Sequence, residues 1–359
     1  MGEGTLVSSN PIISIVVPTF NRPSMLRELI ASYELQDFDN SELVISDDSD
    51  NDLTYEVVNK AMIEDSRIKY FKNQRNLGFC ENYKASINRA SGDFVLTLGD
   101  DDILTDVKSV SRYVRAFQSN PTVHVIYSNQ VQPNQDLDFD NGHRYFQTTK
   151  IFKNGKEALQ LLWLKSIQIA GLAFRKDEVL KKMFPNIVLF PQSYLVFDIL
   201  RKHDGMGLSE FLIGTRSHRD GDQLGLHAIR GERTKGSERH GNVEISELIN
   251  KLEDRELKQS LRLELAENFA RNLPNEKIVG SLRIALRNLH SLVSMNKTIL
   301  FRSPILIFST GITIFFPSRV LVFIRDVLKN IERSNFEVER GTYIEMLAKI
   351  KTYVQNSPF

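Results

Sequence analysis

The chain has 359 residues, of which 41% are hydrophobic and 25% are charged, and its formal net charge is +1. This composition is typical of globular protein with room for one large domain or two smaller ones. The near-neutral charge argues against nucleic acid as a partner, and the single cysteine, Cys80, excludes an intramolecular disulfide and a cysteine-cluster metal site. Residues 1–11 lack an apolar signal core, so we expect no secretion signal and a cytoplasmic protein.

Strand and helix patterns alternate along the first 130 residues. Strands are predicted at 12–17, 43–45, 67–71, 94–98 and 123–127, and helices at 24–36, 53–63, 79–90 and 106–118. Gly92 is placed to end the third helix in a left-handed cap. The alternation predicts an α/β fold with a doubly wound, mostly parallel sheet covered on both faces.

Polar clusters follow three of the predicted strands, at the point where each strand ends. They are Thr19, Asn21 and Arg22 after the first strand, Asp47 and Asp48 after the second, and Asp100, Asp101 and Asp102 after the fourth. Because ligands of doubly wound sheets bind outside the carboxyl ends of the strands, we expect these clusters to share one crevice.

The run of three aspartates after Gly99 suits a divalent cation. Adjacent carboxylates repel one another, and oxygen ligands on a sharp turn are those that Mg²⁺ or Mn²⁺ takes together with water and a bound phosphate. A solvated acidic turn, or an acidic start to the next helix, is the alternative interpretation. A nucleotide diphosphate with its cation would satisfy all three clusters.

Other phosphate and metal motifs are missing from the sequence. There is no Gly-x-Gly-x-x-Gly after the first strand and no Gly-x-x-x-x-Gly-Lys-Ser/Thr, which argues against a dinucleotide-binding dehydrogenase and a P-loop enzyme. The run from Asp48 to Asp52 lacks the glycine of a calcium loop, since Leu53 stands in its place.

The clusters and their order resemble glycosyltransferase family 2, a group of inverting nucleotide-sugar enzymes with a GT-A fold. The matching segments are Val16–Arg22, Val44–Asp50, Asn76 and Gly78 with Asn82, Asn88 and Gly92 behind them, and Leu98–Leu104. Each segment is weakly specific alone, whereas four in the order and spacing of the family form a strong signal over residues 12–104. The resemblance becomes loose after about residue 130.

The resemblance implies roles for individual residues. Pro18, Thr19 and Asn21 would line the uridine and ribose pocket, with Arg22 near the nucleotide and Asn76 and Gly78 beside the ribose. Either Asp47 or Asp48 would accept the N–H of the uracil ring. Asp100 and Asp101 would face the UDP-sugar, and Asp100 and Asp102 would hold Mn²⁺ or Mg²⁺. Gly99 is a departure, because many relatives carry another aspartate there.

The catalytic base is harder to place. Relatives often carry an acidic pair at the start of a helix after a proline-bearing loop, where this chain has Gln192 and Ser193. Asp198, one turn later, is the nearest carboxylate and the predicted base, although a surface or capping role is its alternative. By the same resemblance, Arg216 and Arg219 would clamp the diphosphate and His218 would complete the metal shell, or simply be exposed.

The second half of the chain contains a long uncharged segment. Sixteen uncharged residues, Ser303–Ser318, are fewer than the roughly 20 that a spanning helix needs, and prolines and a glycine interrupt them. Residues 299–333 are therefore expected to pack as a buried hairpin, to lie on a membrane surface or to mediate homo-oligomerisation. The predicted domains are 1–235, with a nucleotide half at 12–130 and an acceptor half at 131–235, and a helical region at 236–359.

The function that the resemblance implies is transfer of a sugar from a UDP-sugar to a hydroxyl of a saccharide or lipid-linked acceptor. The expected setting is bacterial surface polysaccharide synthesis on the inner face of the plasma membrane. A nucleotide-sugar-binding scaffold with weak catalysis is the alternative, because the acidic pair is missing near Ser193. A sugar-phosphate nucleotidyltransferase fits less well, since the loop from Pro18 to Pro23 has no glycine.

Overall fold

A ten-stranded mixed sheet organises the protein. The computed structural model describes residues 12–134, 136–176, 190–216, 241–279, 282–295, 302–335 and 340–356. The strands are β1 Ile13–Thr19, β2 Ser41–Asp47, β3 Ile68–Lys72, β4 Phe94–Thr97, β5 Ile103–Leu104, β6 Val123–Pro133, β7 Phe139–His143, β8 Lys150–Phe152, β9 Leu172–Arg175 and β10 Asp204–Gly214. Their order is β3-β2-β1-β4-β9-β6-β10-β5, with β7 on β6 and β8 on β10.

Helices connect and cover the strands. They are α1 Pro23–Glu34, α2 Leu53–Glu64, α3 Phe79–Arg89, α4 Ser109–Ser119, α5 Lys156–Leu161, α6 Pro191–Leu200, α7 Gly241–Asn250, α8 Arg255–Val279, α9 Leu282–Met295, α10 Pro304–Phe315, α11 Ser318–Asn335 and α12 Arg340–Asn356, with a 3-10 helix at Trp163–Ile167.

The apolar side chains of the central strands alternate between two faces of the sheet. Ile15 and Ile45 pack with Leu29 of α1 in one core cluster, whereas Val16 and Val44 belong to another cluster, which α3 covers. Both faces are buried because helices lie on each side, so these strands read as continuous apolar runs. The predicted doubly wound arrangement is confirmed for the order β3-β2-β1-β4, which is parallel throughout.

The second half of the sheet is less regular than its parallel first half. β9 lies between β4 and β6 and runs antiparallel to both. β6 and β10 are parallel to each other and keep the direction of β1, so six of the ten strands run the same way. The strand predicted at 123–127 extends to Pro133 because its second half pairs with β7 and β10.

Gly92 does not form the expected left-handed helix cap. The helix α3 ends at Arg89, and Ala90 after it is extended, with φ −62° and ψ 136°. Gly92 instead lies so close to β1 that an added Cβ would be 2.9 Å from the carbonyl carbon of Ile13 and from the backbone nitrogen of Ser14. Close packing of two backbones, rather than a positive φ, is therefore what this glycine permits.

The C-terminal helices pack against the sheet domain. Leu261 and Leu265 of α8 share a core cluster with Trp163 and Phe197, and Tyr343 of α12 packs on Phe139. The division of domains at residue 235 stays a prediction. Among the helices that the structure describes, none combines the length and the apolar character needed to cross a membrane.

Candidate active site

The loop after β1 contacts the acidic turn after β4 directly. The hydroxyl of Thr19 donates to Asp100 Oδ2 at 2.9 Å, and the backbone N–H of Phe20 points to the same oxygen at 3.4 Å. Arg22 Nη1 lies 3.2 Å from both Asp100 Oδ1 and Asp101 Oδ2. The parallel register of β1 and β4 places these two loops at one edge of the sheet.

The loop after β2 is joined to the same place through Asn21. This residue has a positive φ of 54°, a conformation that asparagine tolerates better than most side chains. Its backbone N–H donates to Ser49 Oγ at 2.8 Å, and Asn51 Nδ2 donates to its side-chain oxygen at 3.1 Å. The backbone N–H of Asp48 donates to the carbonyl of Thr19 at 3.0 Å. The three polar clusters therefore form one connected site, as their positions after the strands predicted.

The carboxylate of Asp48 holds the loop that precedes α3. It accepts hydrogen bonds from Asn73 Nδ2 at 2.7 Å, from Leu77 N at 3.1 Å and from Gly78 N at 2.9 Å. Gly78 has a φ of 78°, which explains why glycine stands at this turn. Burial raises the pKa of Asp48, and its three hydrogen bonds oppose that shift.

Asp47 faces β3 and away from that loop. Its carboxylate is fully buried and accepts hydrogen bonds from Tyr70 Oη at 2.6 Å, Lys72 Nζ at 3.3 Å and Ser49 N at 2.8 Å. Burial raises the pKa of the Tyr70 hydroxyl, and the adjacent Asp47 carboxylate adds to the shift. Asp48 is consequently the carboxylate next to Asn76 and Gly78, whereas Asp47 supports β2 and β3.

Burial and mutual repulsion dominate the electrostatics of the acidic turn. Asp100 and Asp102 are 6% and 5% exposed. Burial raises the pKa of Asp100 to about 6; the charge of Asp101 acts in the same direction and Arg22 opposes it. Burial also raises the pKa of Asp102 well above its ordinary value, and Asp101 adds to the effect. Ionised carboxylates at this turn therefore destabilise the folded protein, and a bound cation would reduce that destabilisation.

The side chains of the turn fit a divalent cation. Among the described residues Arg22 is the cationic side chain paired with this turn, and it pairs with Asp100 and Asp101. Gly99 N donates to Asp102 Oδ2 at 2.6 Å, which orients that carboxylate. No group of three or more His, Cys, Asp or Glu side chains suited to a metal occurs in the part of the chain that the structure describes. A cation held by the two carboxylates of Asp100 and Asp102 would take its remaining ligands from water and phosphate oxygens.

The absence of a side chain at Gly99 has a steric reason. A Cβ added there would be 2.8 Å from Asp101 Oδ1 and 3.1 Å from Asp102 Oδ2. A residue with a side chain at this position would have to displace the carboxylates of the turn. Glycine therefore suits position 99 because the carboxylates of Asp101 and Asp102 occupy the space that a side chain there would need.

The residues predicted from the looser part of the resemblance lie elsewhere or outside the described residues. Arg216 is 7% exposed in its side chain and pairs with Glu28 of α1, and its Nη1 donates to the carbonyl of Asn134 at 3.1 Å. Burial lowers the pKa of this guanidinium. His218 and Arg219 fall outside the described residues. The structure therefore does not join Arg216 to the acidic turn by a described contact.

Asp198 lies in the last turn of α6 with a half-exposed side chain. Its side-chain contact within the described residues is an ion pair with Arg201, at 3.8 Å. No described contact joins it to the loops after β1, β2 or β4. Gln192 and Ser193, at the start of α6, are buried with 3% and 1% exposure.

A buried polar network beneath Asp48 joins Asn82, which belongs to a segment that resembles the family, to Asn73 and Arg89, which were not predicted to be part of the site. Asn82 Nδ2 donates to the carbonyl of Ser46 at 3.0 Å, and Asn73 Nδ2 donates to Asn82 Oδ1 at 2.9 Å. Arg89 Nη2 donates to Asn73 Oδ1 at 2.6 Å. The seven-residue spacing of Asn82 and Arg89 places both on one face of α3, which was the available signal in the sequence.

Comparison with known proteins agrees with this geometry. Residues 14–184 match the model of the family described as glycosyl transferase family 2. A GalNAc(5)-diNAcBac-PP-undecaprenol beta-1,3-glucosyltransferase of Campylobacter jejuni is 44% identical over 95 residues, which are 26% of this chain and 31% of the relative. A putative colanic acid biosynthesis glycosyl transferase, WcaA, of Escherichia coli is 33% identical over 96 residues, 27% of this chain and 34% of the relative. The matches span about a third of the length of these relatives.

Solved structures extend the comparison to nearly the whole chain. The crystal structure of S. aureus TarS 1-349 in complex with UDP-GlcNAc superimposes with a TM-score of 0.55 at 15% identity, covering 97% of this chain and 93% of that one. At this identity the likeness concerns the fold, and it confirms the predicted GT-A type of α/β sheet followed by helices. The family match and the connected loops of the site show that residues 14–184 are similar to glycosyl transferase family 2.

Proposed function

We propose that the protein is a metal-dependent, inverting glycosyltransferase that moves a sugar from a UDP-sugar to a hydroxyl of a saccharide or lipid-linked acceptor. The observation that carries the proposal is the direct contact between the loops after β1 and β4, in which Thr19 and Arg22 bind Asp100. The Campylobacter relative is named for an undecaprenol-linked substrate, which supports a lipid-linked acceptor, and UDP-GlcNAc in the TarS complex supports a uridine donor.

The donor's nucleotide would lie against the loops after β1 and β2. Asn21 and Ser49 hold these loops together, and Asp48 fixes the turn at Gly78. Pro18, Thr19 and Asn76 complete the pocket that we assign to uridine and ribose. Asp48 is our choice over Asp47 for the uracil side, because Asp47 is fully buried under Tyr70.

The acidic turn would support the departing diphosphate. Breaking the anomeric bond leaves negative charge on UDP, and a divalent cation held by Asp100 and Asp102 supplies Lewis-acid stabilisation of that charge when bound. Thr19 keeps Asp100 oriented, and Arg22 adds a positive charge beside Asp101. These residues are arranged before any donor binds, which lowers the ordering cost of the complex.

The acceptor hydroxyl would attack from the face of the sugar opposite to UDP and lose its proton to a general base. Asp198 is the predicted base, although its described contact is with Arg201. Replacing it by Asn tests that role, because a general base contributes about 100-fold or more to the rate. Arg216, Arg219 and His218 are proposed to act on the diphosphate side.

The setting that we propose is the synthesis of a bacterial surface polysaccharide at the inner face of the plasma membrane. The Escherichia coli relative is named for colanic acid biosynthesis and the Campylobacter relative for an undecaprenol-linked substrate, which supports this setting. Whether the enzyme acts as a homo-oligomer is a separate question for the intact protein.

A scaffold that binds nucleotide sugars without efficient catalysis is the second candidate. Buried Gln192 and Ser193 stand where relatives often carry an acidic pair, and this observation favours it. Such a protein would bind UDP and Mn²⁺ together but would release no UDP from any UDP-sugar.

Purified protein incubated with a panel of UDP-sugars, with and without Mn²⁺, distinguishes the two. We expect slow metal-dependent release of UDP that Asp102→Ala abolishes and that Asp50→Ala, in an exposed carboxylate of the loop after β2, leaves unchanged. Calorimetry with UDP and Mn²⁺ supplies the binding measurement. Binding without turnover across a full acceptor panel would favour the scaffold, and absence of both would overturn the assignment.

A further inference from the structure

The helix α10 differs from an ordinary surface helix because its exposed side is apolar and its buried side includes hydroxyl groups. The side that faces α8 carries Leu306, Ser309 and Thr313, which are 0%, 7% and 1% exposed. Ser309 Oγ donates to the carbonyl of Ala270 of α8, and Thr313 Oγ1 donates to the carbonyl of Ser309 at 2.7 Å. Hydroxyl groups thus face the protein at positions where a surface helix normally packs apolar side chains.

The outward side of α10 is apolar. Ile307, Phe308 and Phe315 are 54%, 71% and 81% exposed, and Phe316 after the helix is 43% exposed. Lys277 of α8 fixes the end of this helix, since its Nζ donates to the carbonyls of Thr313 and Phe316 at 2.8 Å each. The aromatic side chains are held outward by a well-defined helix terminus.

The helix α11 follows α10 after Phe316 and Pro317, and it also exposes apolar side chains. Val320, Phe323 and Val327, at helical spacings of three and four, are 36%, 68% and 40% exposed, whereas Leu321 is buried. We name the exposed side chains of the two helices the hairpin face: Ile305, Ile307, Phe308, Ile314, Phe315, Phe316, Val320, Phe323, Val327 and Leu328. These ten are more than half of the 18 large apolar side chains that are exposed within the described residues.

The charges of the same segment are predominantly positive. Residues 302–335 contain five Lys or Arg side chains and two Asp or Glu side chains. Arg302 and Arg319 are exposed and flank the two ends of α10. Arg325 is paired with Asp326 at 3.1 Å, so Arg302 and Arg319 are the exposed positive charges next to the apolar side chains of α10.

We propose that the hairpin face docks on the surface of an anionic lipid bilayer. Its aromatic and aliphatic side chains would enter the boundary between head groups and acyl chains, and the flanking arginines would contact acidic head groups. A second copy of this chain is a poorer occupant, because it would bring the two sets of exposed arginines together. Among the described helices none is able to cross the bilayer, so the contact would be peripheral.

The lipid contact rests on the proposed function for its setting at the plasma membrane. Because its evidence is the exposure and charge of the hairpin face, it can be tested without measuring sugar transfer. Flotation of the full-length protein with vesicles containing phosphatidylglycerol is the measurement, and pure phosphatidylcholine vesicles are the comparison. We expect the protein to float with the anionic vesicles and far less with the neutral ones.

Two sets of variants assign that binding to the hairpin face. The triple variant Phe308→Ser, Phe315→Ser, Phe323→Ser is expected to bind anionic vesicles at least about 100-fold more weakly, since three exposed rings no longer enter the lipid. Arg302→Gln with Arg319→Gln is expected to weaken binding about 30-fold. The matched control, Ile63→Ser with Ile344→Ser, removes side chains that are 75% and 45% exposed elsewhere and is expected to bind like the wild type.

The remaining outcomes overturn the proposal. Failure of the wild type to float, or equal flotation of the triple variant, would exclude this face as a lipid-binding surface. A concentration-dependent dimer in sedimentation that the triple variant abolishes, with no flotation, would identify a second copy as the occupant. Thermal unfolding and UDP binding of each variant in solution show whether it is folded, so a failure of donor binding is distinguished from a failure of docking.

Discussion

Thr19 and Asp100 lie 81 residues apart in the sequence, yet the hydroxyl of one donates to the carboxylate of the other at 2.9 Å. The two residues are 2% and 6% exposed, so water competes little for this hydrogen bond. It connects the loops after β1 and β4, which are neighbouring parallel strands. The loop that we propose to bind the nucleotide and the loop that we propose to bind the metal are therefore fixed relative to each other in the folded protein.

Replacing Thr19 by Val removes the hydrogen bond between these two loops while keeping the shape of the side chain. We expect the free energy of unfolding to fall by about 1 to 2 kcal/mol, because a buried carboxylate loses a donor. We also expect weaker Mn²⁺-dependent binding of UDP, since Asp100 is less well oriented. Urea denaturation and calorimetry measure the two effects.

Thr19→Ser is the control, because it keeps the hydroxyl and should retain most of both properties. A Thr19→Val protein with wild-type stability and wild-type UDP binding would show that the contact contributes to neither.

The crevice was predictable because it depends on strand direction alone. Once alternating strands and helices predict a parallel sheet, the ends of β1, β2 and β4 must meet at one edge, which brings Asn21, Asp48 and Asp100 together. The antiparallel insertion of β9 was not predictable in this way. Its pairing with β4 depends on contacts between residues about 80 positions apart, such as Phe94 with Arg175.

The direction of individual side chains also could not be predicted from the sequence. Asp47 and Asp48 are adjacent and chemically identical, and the alternation of β2 turns one toward Tyr70 and the other toward Gly78. Arg216 was predicted from its basic loop, but its partner Glu28 lies on α1, far away in the sequence. Ion pairs of this kind follow from tertiary packing and leave no local pattern.

Asp102→Asn should have opposite effects on activity and stability. UDP release is expected to fall at least about 100-fold, since one of two proposed metal ligands is lost. The free energy of unfolding at neutral pH is expected to rise. Burial raises the pKa of Asp102, so the ionised carboxylate penalises the folded state, and a neutral amide does not.

The pH dependence of that gain follows from the raised pKa. Asp102 binds its proton more tightly in the folded than in the unfolded protein, so its penalty grows as the pH rises above the ordinary value of about 3.9. The stability gain of Asp102→Asn should therefore vanish as the pH falls toward that value. Urea denaturation of both proteins across this range measures it, with Asp50→Asn as the exposed control. A gain that is independent of pH would contradict the electrostatic origin.

Asn21 combines a positive φ of 54° with two contacts to the loop after β2. Asn21→Gly keeps this backbone conformation at no steric cost, whereas Asn21→Val forces a β-branched residue into it. We expect the valine variant to be less stable than the glycine variant by about 1 to 2 kcal/mol.

Both variants lose the hydrogen bond from Asn51, so the difference between them isolates the backbone. Urea denaturation at neutral pH gives that difference. Equal stability of the two proteins would mean that the loop adopts another conformation in solution.

Gly92 and Gly311 should respond in opposite directions to the same substitution. An alanine Cβ at Gly92 would be 2.9 Å from the backbone atoms of Ile13 and Ser14, whereas one at Gly311 would meet no atom within 4 Å. Strand β1 would have to move for Gly92→Ala, and we expect a loss of about 2 to 3 kcal/mol in the free energy of unfolding. Gly311→Ala lies within α10 and should gain about 0.5 to 1 kcal/mol, because alanine loses less backbone entropy in a helix.

Thermal and urea denaturation of both variants test this pair. Since β1 also carries Thr19, we expect Gly92→Ala to weaken UDP binding as well, while Gly311→Ala leaves it unchanged. A Gly92→Ala protein as stable as the wild type would show that the loop between α3 and β4 is not packed on β1 as closely as the contact between Gly92 N and Ser14 Oγ, at 2.8 Å, requires.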